Sequence, residues 1–462
     1  MRYVRLILIF VIIESEVISV FSQKSCYANL KNDTLTIGND LIERKFIWNG
    51  GNLITFTLTD KANNQRWVNK SQNPDFSITK NIKAPKNATI EVKLEEENSL
   101  QPQYLETKIT FTLGNLNIRR IFKLYDHCPA IVCENYLKGT TENFQSDKSV
   151  NVVDLKNIEF SKDMSYSQSF DVMDQIKLDG KHWHIKTVEF FDVTDWNNNL
   201  VAERNFISYR KNSYRGNLLF AKNKENGKGI FFLKEAPTSN AQLAYPGSDF
   251  TCEFGHIQVI GSGVTENDLK ENEWVKAYSS VIGVFGGSEL NELTALRLYQ
   301  KNIRKLLPER DEMIMINTWG DRSQDSKINE QFSFVEVEKA AELGITHFQI
   351  DDGWQTGKSP NSATAKGSFK NIWDNPNYWT PDSIKFPRGL EPIVKRGKEL
   401  GVEICLWFNP SIQNNYVDWE KDVQALTTLY KKYGIRINLI IKSRWNPDLN
   451  RKRPLSLSFS PL

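Results

Sequence analysis

Two adjacent carboxylates stand out because they directly follow an apolar stretch. Asp351 and Asp352 come after residues 348–350 and precede Gly353 and Trp354. Neighbouring carboxylates in such a position lose hydration and repel each other unless they accept hydrogen bonds or bind a cation. A carboxylate can accept hydrogen bonds from two vicinal sugar hydroxyls, while an indole covers the apolar face of the sugar ring. The pair could equally cap the following loop, and these residues alone leave both interpretations open.

Further tryptophans stand beside polar residues near the ends of neighbouring predicted strands. A single tryptophan is more often a core residue than a binding platform. Several of them at the same end of consecutive strands favour a carbohydrate pocket. The candidate substrate-binding residues are Asp351, Asp352, Trp319, Trp354, Trp379 and Trp407.

The part of the chain that holds these residues alternates between strand-like and helix-like segments. The predicted strands cover residues 313–319, 347–354 and 403–410, and the predicted helices cover residues 334–343, 390–400 and 417–433. A glycine follows each helix directly, where a left-handed residue ends a helix most easily. Apolar strands alternating with helices predict a parallel sheet covered on both faces, with functional side chains where the strands end.

The preceding part of the chain predicts a different architecture. Residues 24–287 contain short strands between turn-forming residues, which is typical of a sandwich of two antiparallel sheets. From Ser288, apolar residues recur at spacings of three up to Tyr299, which predicts a linker helix docked between two domains. The fold class is therefore multidomain, β followed by α/β.

Composition limits the possible partners. The 462 residues include 59 lysines and arginines and 56 acidic residues, for a net charge of +3. Five basic residues and one acidic residue lie in the segment 437–462, so the rest of the chain is close to neutral. This balance argues against a nucleic-acid or anionic-membrane partner. The five cysteines show no zinc-type spacing.

The first residues have the features of an export signal. Arg2 and Arg5 precede the apolar run 6–13, and Val20 and Ser22 are spaced like the small residues of a cleavage site. The run is too short to span a bilayer. We therefore expect a signal peptide over residues 1–22 and a secreted or periplasmic protein.

Four motifs carry a family resemblance. Residues 317–321, 351–354, 385–390 and 401–410 resemble, in order and spacing, the front half of the catalytic barrel of glycoside hydrolase family 36, the α-galactosidases or melibiases. The resemblance implies an N-terminal β-supersandwich at residues 23–287, a linker helix at 288–310 and the first half of a (β/α)8 barrel at 311–436. It also implies retaining hydrolysis of terminal α-galactosides without a metal or organic cofactor, a carbohydrate partner and a possible homo-oligomer.

The resemblance assigns roles to some residues and shows departures at others. It implies that Asp351 and Asp352 accept the galactose 4- and 6-hydroxyls and that Trp379 lines the pocket. Tyr378 stands where the family usually has an aspartate, and Asn409 where it commonly has a glutamate. The preferred substrate could therefore differ from melibiose.

The two catalytic carboxyls of a retaining glycosidase, about 5 Å apart, cannot be assigned here. The resemblance implies a nucleophilic aspartate on the fourth strand and an acid/base on a later one. Beyond Arg436 the chain contains Asp448 as its one acidic residue, and Pro447 would break a strand before it. We expect an incomplete barrel and an aberrant basic tail at 437–462, out of register through a frameshift or an error in gene prediction. An inactive remnant that at most binds sugar, or a transglycosidase, are the alternatives.

Sequencing the locus through the codon for Arg436 tests this expectation. We expect a frame change near residue 437, after which a longer reading frame continues the barrel. An uninterrupted frame that encodes the same basic tail in several isolates would contradict it.

Overall fold

The computed structural model describes residues 21–23, 25–78, 84–141, 171–179, 182–190, 201–207, 211–236, 248–286, 289–321, 324–414, 416–436 and 438–440. These residues form two units, which divide between Lys305 and Leu306. The predicted signal peptide lies outside the described residues except at its last two positions. Within the described part of the chain, no helix is long and apolar enough to cross a membrane.

A six-stranded antiparallel sheet opens the first unit, with its strands paired in chain order. Leu35 and Ile37 are fully buried, whereas Thr34 and Thr36 are half-buried, so one face of the sheet is apolar. The strands are β1 (Phe21–Gln23), β2 (Cys26–Lys31), β3 (Thr34–Gly38), β4 (Ile42–Ile47), β5 (Ile54–Asp60) and β6 (Gln65–Val68).

A ten-stranded antiparallel sheet follows. Its strands are β7 (Lys86–Glu95), β8 (Tyr104–Leu113), β9 (Leu116–Leu124), β10 (Ala130–Gly139), β12 (Trp183–Phe190), β13 (Val201–Ile207), β15 (Leu218–Asn223), β16 (Gly229–Glu235), β19 (Val275–Lys276) and β20 (Ser279–Phe285). They are ordered β13-β12-β15-β16-β20-β10-β9-β8-β7, with β19 also paired to β10. Strict alternation of buried and half-buried residues along β8 and β9 explains why these segments form strands with one buried face.

A third sheet has four strands, which are β11 (Val172–Lys177), β14 (Asn212–Tyr214), β17 (Phe250–Glu253) and β18 (His256–Ile260), in the order β11-β18-β17-β14. Side chains from all three sheets, including Leu35, Ile109 and Ile257, share one apolar core. The predicted N-terminal β-sandwich is confirmed. It contains a third sheet that the sequence did not predict, because two of its three pairings, β11 with β18 and β14 with β17, join segments that are far apart in sequence.

Helix α1 (Glu289–Asn302) packs against β16 and β20 of the first unit. Tyr299 is buried, and its hydroxyl donates to Glu235 Oε1 at 2.7 Å. Leu293, by contrast, is half exposed. The spacing of three that predicted this helix falls short of a full turn by about 60° at each step, so its apolar residues spread around the helix instead of forming one face.

The second unit contains a four-stranded parallel sheet. Its elements are α2 (Pro308–Asp311), β21 (Met315–Asn317), α3 (Glu330–Glu342), β22 (His347–Ile350), α4 (Glu391–Leu400), β23 (Glu403–Phe408), α5 (Trp419–Tyr433) and β24 (Asn438–Ile440). The strand order is β21-β22-β23-β24, and each neighbouring pair is parallel. Helices alternate with the strands after the short first helix, and β22 is buried throughout.

Local hydrogen bonds set boundaries that differ from the sequence prediction. Helix α3 begins four residues before the predicted position 334, because the Asn329 side chain accepts the Phe332 N–H and caps the helix. Gly401 and Gly434 end α4 and α5 with φ of 74° and 75°, as predicted for left-handed caps. Strand β24 lies in the segment predicted to be out of register, and it pairs in parallel with β23.

A buried ion cluster connects two sheets of the sandwich. Arg44 on β4 is 1% exposed and donates to both carboxylate oxygens of Asp174 on β11, at 3.0 and 2.6 Å. It also donates to Asp75 Oδ2 at 3.2 Å. Burial raises the pKa of Asp75 to about 6. Burial also acts on Asp174, but the charge and hydrogen bonds of Arg44, the Arg120 charge and the Gln175 N–H together outweigh it and lower the pKa of Asp174. A guanidinium buried between two carboxylates satisfies charges that would otherwise oppose folding.

Replacing Arg44 by methionine tests this cluster. We expect Arg44→Met to lower the free energy of unfolding by about 3–5 kcal/mol, because two carboxylates stay buried without their cation. Urea denaturation of the 462-residue chain measures the change. Lys45→Met is the matched control, because Lys45 lies next to Arg44 and is 37% exposed. Equal midpoints for the two variants would contradict the prediction.

Candidate functional site

The candidate site lies at the carboxyl ends of the parallel strands. Asn317 is the last residue of β21, Asp351 follows β22 directly, and Asn409 follows β23. In the parallel register Asn317 is opposite Gln349, and Ile350 is opposite Leu406. Strand ends therefore bring polar side chains from three different strands to one edge of the sheet.

Asp351 is buried among donors from the neighbouring strand. Its Oδ2 accepts Asn317 Nδ2 at 2.6 Å, and its Oδ1 accepts the Asp352 N–H at 2.7 Å. Its own N–H donates to Thr318 Oγ1 at 2.9 Å. The same Asn317 amide donates to Gln349 Oε1 at 2.6 Å. These bonds hold the Asp351 carboxylate in one orientation.

Asp352 is satisfied by the loop that follows it. Gln355 Nε2 donates to its Oδ1 at 2.7 Å. The Ser359 hydroxyl donates to its Oδ2, and Asn361 Nδ2 lies 3.4 Å from the same oxygen. Since Asp352 is 2% exposed, the loop residues replace the water that the carboxylate loses.

Both carboxyls have raised pKa values. Burial is the main cause for each, and donated hydrogen bonds offset part of it. The Asp352 charge raises the pKa of Asp351 further, and the Asp325 charge raises that of Asp352. An additional hydrogen-bond donor to either carboxylate would therefore offset more of the free energy that burial of its charge costs.

Three of the predicted tryptophans form an aromatic cluster beside the pair. Trp379 lies 6.1 Å from Trp354, 5.7 Å from Trp407 and 4.3 Å from Phe408 between ring centroids. Trp354 donates its indole N–H to the Trp407 carbonyl at 2.8 Å. All three tryptophans are at most 3% exposed and belong to the core of the second unit. Their contact with a sugar stays a prediction.

Trp319 is placed apart from this cluster. It lies in the short helical turn Thr318–Asp321 and is half-buried. The backbone N–H of Trp319 donates to Asn317 Oδ1 at 2.7 Å, and the Asn317 side chain in turn donates to Asp351. The structure thus connects Trp319 to the acidic pair through Asn317 and gives it no ring contact with the other three tryptophans among the described residues.

Two buried polar groups beside the pair have no partner among the described residues. They are the indole N–H of Trp379 and the hydroxyl of Tyr378. The two rings meet edge to face at 5.0 Å. Burial, and then the charge of Asp352, raise the pKa of Tyr378 well above its usual value. An unpaired buried donor costs about 1–3 kcal/mol, so both groups are suited to meet a ligand.

Sequence reasoning missed the side chains that hold the acidic pair. Gln355, Ser359 and Asn361 come from an irregular loop with no periodicity, and nothing in their spacing indicates which carboxylate they contact. Lys385 lay within a motif already noted, and its Nζ donates to the Gly353 carbonyl at 2.9 Å. A lysine bound to the turn that follows Asp352 fixes the position of that turn. Within the described ranges, no three metal-ligating side chains converge.

Asp422 is a further buried carboxyl, on helix α5. It accepts the Trp373 indole N–H and the Ser411 N–H, each at 3.0 Å. Burial raises its pKa to about 6 despite these two donors. The side chain therefore anchors the loop between β23 and α5 to the aromatic core.

Comparison with known proteins identifies similar sequences. Residues 277–424 match the family model described as melibiase. An α-galactosidase of Escherichia coli is 29% identical over 188 residues, which are 38% of this chain and 24% of that protein. α-Galactosidase AgaA of Geobacillus stearothermophilus is 30% identical over 135 residues, 29% of this chain and 17% of that protein. The chain thus spans about a quarter or less of the length of these relatives.

Solved structures share the fold at lower identity. The family 36 α-galactosidase AgaB of Geobacillus stearothermophilus matches 94% of this chain and 68% of its own, with a TM-score of 0.57 and 12% identity. A variant of AgaA from the same organism, in complex with 1-deoxygalactonojirimycin, matches 84% of this chain and 58% of its own, with a TM-score of 0.53 and 12% identity. These likenesses show the fold alone.

The raised pKa of Asp422 predicts a pH-dependent stability. The folded pKa of about 6 exceeds the unfolded value near 3.9, so the protonated carboxyl favours the fold. The stabilisation is complete below about pH 4 and is lost as the pH rises through 6. We compare the free energy of unfolding of the parent chain with that of Asp422→Asn at each pH. The difference, parent minus variant, should fall by roughly 2–3 kcal/mol from about pH 4 to 7. A difference that stays constant, measured by urea denaturation at each pH, would refute the prediction.

Proposed function

We propose that this chain, which is similar over part of its length to α-galactosidases, is a retaining glycoside hydrolase that removes terminal α-galactosyl residues from oligosaccharides or glycans. The observation that carries the proposal is the match of residues 277–424 to the melibiase family model. Within that match, Asp351 and Asp352 end a buried parallel strand. Carbohydrate is the partner, and the reaction needs no cofactor.

The second unit is proposed to be the first part of a (β/α)8 barrel. Four parallel strands in chain order, with helices between them, are the repeat from which such a barrel is built. An eight-stranded barrel takes about 250 residues and continues by adding strands beyond the fourth. Strand β24 occupies that fourth position beside β23.

Asp351 and Asp352 are proposed to bind two hydroxyls of the terminal galactose. Each carboxylate oxygen can accept two hydrogen bonds, and Asp351 Oδ1, Asp351 Oδ2 and Asp352 Oδ1 each accept one from the protein. Three oxygens therefore have capacity left for a sugar hydroxyl. Because a donated hydrogen bond favours the ionised carboxylate, sugar binding would lower the raised pKa values of the pair.

Trp379 completes the proposed pocket. The Trp379 indole N–H is a buried donor without a partner among the described residues, and a sugar hydroxyl oxygen can accept it. The ring of the same residue stacks among Trp354, Trp407 and Phe408, which fixes its plane. The indole N–H would then donate to a sugar hydroxyl, while the ring stays packed against its aromatic neighbours. Trp319 would line the rim near Asn317.

Sugar binding without turnover is the second candidate function. A retaining mechanism needs a nucleophile and an acid/base about 5 Å apart. The resemblance implies a nucleophile on the fourth strand, and β24 consists of Asn438, Leu439 and Ile440. Asp448 lies outside the described residues. None of these three residues carries a carboxylate, which favours a chain that binds galactose through Asp351 and Asp352 but does not hydrolyse the glycoside. Transfer of galactose to another sugar is a variant of the first proposal.

Secretion is proposed from residues 1–22, which have the charge and apolar pattern of a signal peptide. The domain limits 23–287, 288–310 and 311–436, with a basic tail from 437, are kept as proposals. A homo-oligomer is a further proposal that comes from the family resemblance.

Asp352→Asn tests the binding proposal. We expect affinity for galactose and 1-deoxygalactonojirimycin to fall about tenfold to a hundredfold, because the variant replaces a charged acceptor by a neutral amide. Titration calorimetry with the 462-residue chain measures binding. Asp374→Asn is the matched control, because Asp374 is an exposed acid of the same unit.

A fluorogenic α-galactoside separates the two candidate functions. Turnover that Asp352→Asn abolishes would support the hydrolase, and binding without turnover would support the second candidate. If the parent chain neither binds these ligands nor hydrolyses the substrate, both candidates are wrong. If Asp352→Asn binds as well as Asp374→Asn, Asp352 is not a binding residue. A urea curve for each variant checks that it is folded.

A further inference from the structure

A cavity of about 160 Å³ lies in the β-sandwich, in the first unit of the chain. Asn52, Gln175 and Gln258 contribute polar side chains to its lining, and Phe76 and Leu113 contribute apolar ones. The exposed side chain of Asn73 also lines it, so the cavity reaches the surface. We propose that this cavity binds a small uncharged, hydroxyl-rich molecule, either a free polyol or a terminal sugar ring.

One buried acceptor in the cavity has no partner in the part of the chain that the structure describes. Asn52 is 3% exposed, and its Oδ1 has no hydrogen bond among the described residues. Its Nδ2 donates to the Phe76 carbonyl at 3.2 Å. A carbonyl accepts and cannot donate, so this bond fixes the orientation of the amide and leaves the oxygen as the unpaired atom. A buried acceptor of this kind needs a donor from a ligand or from water.

The two glutamines supply the opposite polarity. Gln175 Nε2 donates to the Pro74 carbonyl at 2.6 Å, and its Oε1 accepts Gln258 Nε2 at 3.0 Å. Gln258 Oε1 accepts the Thr251 hydroxyl at 2.9 Å. Each of these amides uses one of its two N–H groups in the bonds described, and each has a second to offer. A hydroxyl group can donate to Asn52 and accept from a glutamine, whereas a purely apolar ligand can do neither.

The lining selects against charge. Asn52, Asn73, Gln175 and Gln258 are neutral, and every other residue that lines the cavity is apolar or a serine. An anion or a cation would lose its hydration without gaining an opposite charge. The apolar part of the lining provides the surface that the carbon skeleton of a polyol would contact.

The size of the cavity fits the same class of ligand. A cavity of about 150 Å³ in another protein holds benzene, which has about six heavy atoms. A four-carbon polyol, or a sugar ring with part of its edge at the mouth, is of comparable size. The cavity could instead hold about five waters, at roughly 30 Å³ each. That alternative is an outcome of the test.

Ligand-observed saturation-transfer NMR on the 462-residue chain tests the proposal. The probes are erythritol as a free polyol, galactose and a galactose-terminated oligosaccharide as sugars, and glucuronate as a charged control. All measurements use the Asp352→Asn background, which weakens binding at the acidic pair of the second unit. We expect at least one neutral probe to bind and glucuronate not to bind. Binding of erythritol indicates a free polyol, and binding of the sugars alone indicates a glycan end.

Two substitutions assign the signal to the cavity. Asn52→Leu removes the unpaired acceptor. Gln258→Met removes a donor and leaves the hydrogen bond from Asn52 to the Phe76 carbonyl in place. Each should weaken binding roughly three- to tenfold, while Gln72→Met, at an exposed glutamine, should leave it unchanged. Thermal unfolding followed by circular dichroism checks the fold of each variant. The proposal is overturned if no neutral probe binds, if glucuronate binds equally well, or if both cavity variants keep the parent affinity.

Discussion

Burial of the two acids after β22 is the constraint on which the second unit depends. Charged groups with almost no exposure require donors, and the chain supplies them from Asn317 on one side and from the loop at 355–361 on the other. The strand end, the turn at Gly353 and the following loop therefore form one hydrogen-bonded structure. Lys385 extends it by binding the Gly353 carbonyl. A site built in this way is rigid before any ligand arrives, which reduces the ordering cost of binding.

The same physical requirement is met differently in the sandwich. There Arg44 neutralises Asp75 and Asp174 by direct charge contact, whereas the acidic pair of the second unit has only neutral donors among the hydrogen bonds described. A compensated cluster needs no ligand, and its natural role is to connect sheets. The acidic pair has raised pKa values and capacity for further donors. These two buried acidic groups are thus distinguished by what surrounds them.

Regular elements were predictable from the sequence because their periodicity is local. The strands predicted at 347–354 and 403–410 begin at the observed residues His347 and Glu403, and the glycine caps at 401 and 434 follow from backbone conformation. Neither the third sheet nor the donors to Asp352 could be predicted, because both depend on contacts between distant or irregular segments. The acidic pair was found because two adjacent carboxylates are costly to bury. The packing of Trp354, Trp379 and Trp407 against one another, by contrast, could be seen only in the three-dimensional structure.

Gly357 and Tyr378 are coupled by close contact. A Cβ built on Gly357 would overlap the Tyr378 ring, and the Gly357 N–H donates to the Tyr378 carbonyl at 2.9 Å. The aromatic ring at 378 is thus compatible with glycine alone at 357. Positions 357 and 378 can therefore be varied only together: a side chain at 357 requires a residue smaller than tyrosine at 378.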